Sequence, residues 1–280
     1  MDNKHYKYGV IGHPIGHTLS PFIHARLMKL AGIDGEYGVY DITPEKLAQK
    51  FGGELAALDG FNATIPHKQA VMRLCSELHE TAELYGSVNT VLCSESGTKG
   101  FTTDGIGFTM ALESAGIDMG STVTIVGCGG VGRVFANTCA KAGCRLNILE
   151  CSAALDGARA FAESINVRFG EGTAKVFLTE NYNEPCDLLV NATPIGMYPN
   201  IDKCAVSDDV ISGAKAVFDA VYNPAQTLLV KKAGDMGIPA ITGMTMLVYQ
   251  AAAAQTIWNG STFEKDDIEQ LARDCFKEIE

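Results

Sequence analysis

Val123 to Arg133 reads Val-Thr-Ile-Val-Gly-Cys-Gly-Gly-Val-Gly-Arg, and Leu146 to Glu150 reads Leu-Asn-Ile-Leu-Glu. An apolar strand, a glycine turn, a helix start and a second strand ending in a carboxylate leave few folds open. Together they spell one βαβ unit with the fingerprint of a dinucleotide site. Gly127 permits the tight turn, and Gly129 lets the main chain approach a pyrophosphate. Gly132 lets helix and strand lie close together. Gly130 and Val131 open the helix, whose first N–H groups are free to meet an anion. Glu150, roughly 20 residues further on, stands where a carboxylate accepts hydrogen bonds from the adenosine ribose. An ordinary glycine turn in a βα unit would need neither the second strand nor its acid.

Strand and helix patterns alternate along the whole chain. In the first hundred residues, strands are expected at 8–11, 36–42, 61–65 and 87–93. Helices are expected at 21–30, 44–51 and 104–114, the first with Ser20 as N-cap and Pro21 behind it. A second series gives strands at 122–127, 145–150, 187–192, 216–221 and 238–242, with helices between. The chain then ends in helices at 245–258 and 263–279. Such alternation predicts parallel sheets with right-handed crossovers. The 280 residues suit two α/β domains. The division expected is 1–104 with 246–280, the last helices returning to the first domain, and 105–245 as a Rossmann-type doubly wound domain.

Composition removes several function classes. A net charge of −11 and the absence of any basic run argue against nucleic acid as a partner. The nine cysteines are scattered, with no Cys-x-x-Cys pair, and the six histidines form no His-x-x-x-His pair. No metal is expected, and a reducing cytoplasm is the expected compartment. No run approaches the roughly 18 apolar residues a membrane span needs. Residues 1–8 carry no apolar core of a secretory signal. A monomer or homodimer is expected.

Chemistry-bearing residues collect where strands end. Thr18 and Ser20 offer hydroxyls at a helix start, a good place for a carboxylate, though capping the helix would also explain Ser20. Lys68 follows Asn-Ala-Thr-Ile-Pro-His at 62–67. Partly desolvated, it is a candidate acid/base; fully solvated, it is an ordinary surface lysine. Asp104, after Thr102-Thr103, is either a helix cap or the partner that holds a lysine and a substrate hydroxyl together. Lysine beside aspartate suits hydride transfer, because the alcohol proton must leave as the hydride leaves carbon. Asn191 to Met197, Asp219 to Pro224 and Gly243 to Gln250 end later strands, where doubly wound sheets bind ligands.

Taken together these segments resemble the shikimate dehydrogenase family over nearly the whole chain. The marks are His-Pro-Ile-Gly-His-Thr-Leu-Ser-Pro at 13–21, Asn-Ala-Thr-Ile-Pro-His-Lys at 62–68, Asn-Thr at 89–90 and Thr-Asp-Gly at 103–105. They continue with the glycine turn at 127–133, Asn-Ala-Thr-Pro-Ile-Gly-Met at 191–197, Tyr-Asn-Pro at 222–224 and Gly243 to Gln250. The resemblance implies an N-terminal substrate domain, a Rossmann-type domain and a cleft between them. It implies reversible, NAD(P)-dependent oxidation of a ring hydroxyl on shikimate, quinate or a related polyhydroxy cyclic carboxylate such as aminoshikimate. By the family pattern Lys68 and Asp104 are the catalytic pair. Thr18 and Ser20 would hold the carboxylate. Asn62, Thr64, Asn89, Tyr222 and Gln250 would surround the ring, and Thr193, Met197 and Gly243 would line the cofactor. Three positions depart from the pattern. Thr18 replaces the usual Ser, and Thr102 replaces the usual Asn. Glu150-Cys151-Ser152 stands where NADP-binding members carry Asn-Arg-Thr. A carboxylate in place of the arginine that grips a 2′-phosphate leads to the expectation of NAD rather than NADP. A nucleotide sensor without catalysis is the rival from another class, and the retained Lys68 and Asp104 speak against it.

Overall fold

Apolar runs flanked by glycine or proline turns build two six-stranded sheets. The computed structural model describes residues 4–16 and 18–279; His17, within the 13–21 segment, lies outside them. The chain forms two compact units, Met1–Gly107 with Leu247–Lys277, and Phe108–Met246 with Glu278–Glu280.

The first sheet contains β1 (Tyr6–Gly12), β2 (Gly35–Asp41), β3 (Gly60–Ala63), β4 (Glu77–Leu78), β5 (Thr90–Ser94) and β6 (Gly97–Phe101). Between and after them come α1 (Ser20–Ala31), α2 (Pro44–Phe51), α3 (Lys68–Leu74), α4 (Glu80–Tyr85) and α5 (Asp104–Ser114). The strand order is β2-β1-β3-β5-β6-β4. The expectation of a wholly parallel sheet fails here. β5 runs antiparallel to both β3 and β6. The link from β5 to β6 is only Glu95-Ser96, and so short a link can join only antiparallel neighbours. β6 was not expected as a strand, because Gly97 and Gly100 with Lys99 dilute its pattern.

The second sheet contains β7 (Thr122–Val126), β8 (Arg145–Glu150), β9 (Ala174–Leu178), β10 (Cys186–Asn191), β11 (Ala214–Asp219) and β12 (Ala240–Thr242). Its order, β12-β11-β10-β7-β8-β9, is that of the dinucleotide-binding fold, and every pairing is parallel. The helices are α6 (Gly130–Lys141), α7 (Leu155–Phe169), α8 (Asp208–Ser212) and α9 (Leu228–Asp235), followed by α10 (Met244–Asn259) and α11 (Lys265–Ile279). β9 is an edge strand with one buried residue, Ala174, which is why its periodicity does not announce it.

Each unit has its own core. In the first, Trp258 on α10 stacks on Tyr8 with ring centroids 4.5 Å apart. Its indole N–H donates to the Val91 carbonyl at 2.9 Å. Gly60 makes room for it: a Cβ there would lie 2.3 Å from the indole nitrogen. In the second, Phe108, Phe135 and Phe218 form a fully buried cluster.

Candidate active site

In the first unit the polar groups gather where β3 and β6 end and the antiparallel β5 begins. Lys68 opens α3, and Asp104 opens α5. The Lys68 ammonium donates to Asp104 Oδ2 at 2.6 Å, and the two side chains are 30% and 10% exposed. The solvated-lysine alternative does not describe this geometry. Asn89 fixes the other carboxylate oxygen: its Nδ2 donates to Asp104 Oδ1 at 2.8 Å. Asn89 Oδ1 in turn accepts from the Thr103 N–H at 2.9 Å and the Thr90 hydroxyl at 3.0 Å. Gln250 closes this network, its Oε1 accepting from Asn89 Nδ2 and Thr103 Oγ1, both at 3.3 Å. Thr90 and Thr103, present in the motifs but given no role there, are completely buried members of it. Their signal was adjacency: each sits beside a residue that was picked, Asn89 or Asp104.

Asn62 is nearly buried, and its Nδ2 donates to the Asn89 carbonyl and to Thr90 Oγ1, both at 3.1 Å. Thr64 is half-buried just beyond β3, its N–H on the Ile11 carbonyl at 2.9 Å. Ser20 is not the N-cap of α1. Leu19 holds that position, with no side-chain cap bond. Ser20 is already helical, so its oxygen does not reach back to an N–H of the first turn. It accepts instead from the Thr18 hydroxyl at 3.1 Å. The Thr102 hydroxyl donates to the Ser87 carbonyl, which turns this family departure toward main chain.

In the second unit β7 and β10 are neighbours, and the chain leaves them to opposite sides of the sheet. That is the topological switch point, where ligands meet the carboxyl ends of strands. Gly127 opens the turn after β7 at φ +91°, and a Cβ there would lie 2.5 Å from the Thr193 methyl. A Cβ at Gly132 would meet the Gly127 carbonyl oxygen at 2.1 Å. Gly129 and Gly130 are the opposite case, with open space where a Cβ would stand. The first turn of α6 has neither a side-chain cap nor an acidic residue. Exposed main chain, open space and free N–H groups, Val131 included, fit a pyrophosphate.

Asn191 and Asp219 face one another across β10 and β11. Asn191 Nδ2 donates to Asp219 Oδ1 at 2.8 Å, and Asn191 Oδ1 accepts from the Thr193 hydroxyl at 2.7 Å. Asp219 also accepts from the Val221 N–H at 3.0 Å and the Thr227 hydroxyl at 2.6 Å. Burial pushes its carboxyl above the usual range, against these donors. This network, unassigned in the sequence, shapes the loops that carry Thr193, Met197 and Tyr222. Met197 is exposed, and Tyr222 is half-buried with its phenol pushed up by burial. A Cβ on Gly243 would lie 2.3 Å from the Ala220 carbonyl oxygen.

The sequence is matched by the shikimate dehydrogenase substrate binding domain over residues 10–91. The chain is 35% identical to a shikimate dehydrogenase (NADP(+)) of Caldanaerobacter subterraneus over 98% of either chain. It is 40% identical to one of Methanopyrus kandleri, over 90% of this chain and 89% of the relative. Among solved structures, shikimate 5-dehydrogenase from Thermus thermophilus in complex with NADP(H) and shikimate aligns with a TM-score of 0.87. That alignment has 30% identity and covers 96% of this chain and 99% of the other.

The expectation of NAD does not stand against these relatives, whose names carry NADP. It rested on a bare carboxylate at Glu150 facing the ribose. In the structure both oxygens are already engaged: Oε2 accepts the Cys128 N–H and Oε1 the Cys151 N–H, each at 2.9 Å. Glu150 thus pins the glycine turn to the end of β8, and local main-chain dipoles offset its charge. With a paired lysine and aspartate in one unit, a dinucleotide fold in the other and relatives matched end to end, the chain belongs to the shikimate dehydrogenase family, oxidoreductases that act on an alcohol group.

Proposed function

We propose that this protein interconverts shikimate and the ketone formed at one of its ring hydroxyls, with NADP as redox partner. The observation that carries the reading is the 2.6 Å contact between Lys68 and Asp104, with Asn89 orienting the carboxylate from behind. Bound NADP+ would accept the hydride from the ring carbon. Lys68, as the neutral amine, takes the alcohol proton as the carbonyl forms, and as the ammonium returns it in the reverse direction. Asp104 holds Lys68 in place and accepts the hydrogen bond of the reacting hydroxyl. Thr18 and Ser20 bind the substrate carboxylate. Asn62, Thr64, Asn89 and Gln250 define the ring site of the first unit. Gly127, Gly129, Gly130, Val131 and Gly132 cradle the pyrophosphate, Glu150 holds that turn in shape, and Thr193, Met197 and Gly243 border the nicotinamide. On this reading residues 1–107 with 247–277 are the substrate unit and 108–246 the cofactor unit. The nine cysteines form no disulfide among the described residues, which suits a reducing cytoplasm.

The test is an initial-rate matrix of shikimate and quinate against NADP+ and NAD+. Saturable reduction of NADP+ with shikimate is expected. Tight cofactor binding with no turnover of either acid would identify a sensor instead.

A further inference from the structure

One buried carboxylate takes no part in proton or hydride transfer. Asp219, at the end of β11, is fully buried. Asn191 Nδ2 and the Val221 N–H converge on its Oδ1, and the Thr227 hydroxyl takes Oδ2. An apolar side chain would fill this space with no charge to desolvate. What it could not do is fix the direction of bonds. The Asn191 amide has one orientation here, because the Thr193 N–H can only donate and so marks the amide oxygen. The Asn191 NH2 then faces Asp219 Oδ1 and, at 3.3 Å, the Ile195 carbonyl. Thr193 donates its hydroxyl to Asn191 Oδ1, and its Oγ1 accepts the Ile195 N–H at 3.2 Å. Both functions of that hydroxyl are used inside the loop.

Three segments hang from that one anchor. After β10, Thr193 is turned so that its methyl lies beside Gly127. The same loop holds Ile195 and Met197 outward, 37% and 46% exposed, two large apolar side chains on a turn fixed from below. A rigidly held apolar surface of this kind suits a flat ring. After β11, the Val221 N–H is tied to Asp219, and the Ala220 N–H to the Asn191 carbonyl at 2.9 Å. After β12, the Gly243 N–H donates to the Val221 carbonyl at 3.3 Å, and Gly243 lies against the Ala220 carbonyl. β10, β11 and β12 are neighbours on one side of the switch point; β7 and β8, with the glycine turn and Glu150, lie on the other. Each side of such a sheet takes one half of a dinucleotide. None of the bonds made by Asp219, Asn191 or Thr193 crosses to Gly129, Gly130 or Glu150.

We propose that Asp219 is a positioning residue for the nicotinamide end of NADP, setting the loops after β10, β11 and β12 through Asn191, Val221 and Thr227. This rests on the reading that the second unit binds NADP. Asp219→Ala frees all three donors. Thr227→Val keeps the side-chain shape and removes a single donor, so it decides the matter where the first variant does not fold. Two probes read the two ends of the cofactor by equilibrium titration. One is NADPH, followed by the fluorescence of its reduced nicotinamide; the other is adenosine 2′,5′-bisphosphate, which lacks that ring. Asp219→Ala should weaken NADPH about 10- to 100-fold, the usual worth of a hydrogen bond to a charged group, and Thr227→Val about three- to tenfold. The bisphosphate should bind each variant within about twofold of wild type. A carboxylate that served only stability would not divide the two probes. Equal weakening of both probes, or NADPH binding within twofold of wild type in a variant shown by melting to be folded, overturns the proposal. A wild type that binds NADPH but leaves shikimate unoxidised overturns the functional reading and not this inference. One that binds neither probe overturns both.

Discussion

Asn89→Ala separates positioning the Asp104 carboxylate from holding a substrate hydroxyl. In the native chain Asn89 Nδ2 donates to Asp104 Oδ1 at 2.8 Å while Lys68 donates to Oδ2 at 2.6 Å. Without Asn89 the carboxylate keeps one of two anchors and can rotate away from the reacting hydroxyl. A hydrogen bond to a charged group is worth about 1.5–3 kcal/mol. At 1.36 kcal/mol per decade, kcat should fall roughly 10- to 150-fold if that energy is used to orient Asp104. Stability pays separately. The Thr103 N–H, which donates to Asn89 Oδ1 at 2.9 Å in a buried setting, loses its partner. An orphaned buried donor costs about 1–3 kcal/mol, so melting should drop by several degrees. The assay is kcat and KM for shikimate on protein shown to be folded below its new melting point. A lower melting temperature with kcat within twofold of wild type would refute the positioning role. A rise in KM larger than the fall in kcat would place Asn89 chiefly on the substrate.

Two further substitutions probe the second unit. Gly132→Ala drives a Cβ to 2.1 Å from the Gly127 carbonyl oxygen, a main-chain atom that cannot step aside. It should cost about 1–3 kcal/mol and raise the KM for NADP+ while sparing that for shikimate; wild-type melting and wild-type KM values would refute the close approach. Asp187 accepts from the main chain at Ser121 and Thr122 and pairs with Lys215 at 2.7 Å. The lysine, first, and then the two N–H groups hold its carboxyl far below the usual range. A depressed folded pKa gives stability that is present above about pH 4 and fades as pH falls toward the folded value. Asp187→Asn should therefore melt below wild type at pH 7, with the gap beginning to narrow only below about pH 4 and closing as pH nears the folded value. A gap that stays constant over that range would contradict the assignment.

The second unit was the more legible in the sequence. Its strands are buried on both faces and read as continuous apolar runs, and each glycine of the turn answers to one steric demand. β9 escaped because only Ala174 of that edge strand is buried. The first sheet misled because alternation of strand and helix says nothing of a two-residue hairpin hidden among glycines. Lys68 and Asp104 could be named, but only folding shows Asn89, Thr90 and Thr103 locking the aspartate from behind. Glu150 is the instructive error. Its position in the pattern was correct, but the partners of its two oxygens are set by main-chain geometry that a one-dimensional motif does not contain.

The central claim is that Lys68, held by Asp104, moves the proton of a shikimate hydroxyl during hydride transfer to NADP+. The most direct measurement is the kcat of Lys68→Ala for oxidation of shikimate at saturating NADP+, beside the wild type. Positioned acid/base catalysis contributes about 10²–10⁴-fold, so kcat should fall by that factor with a smaller change in KM. A variant that retains more than half of the wild-type kcat would contradict the account.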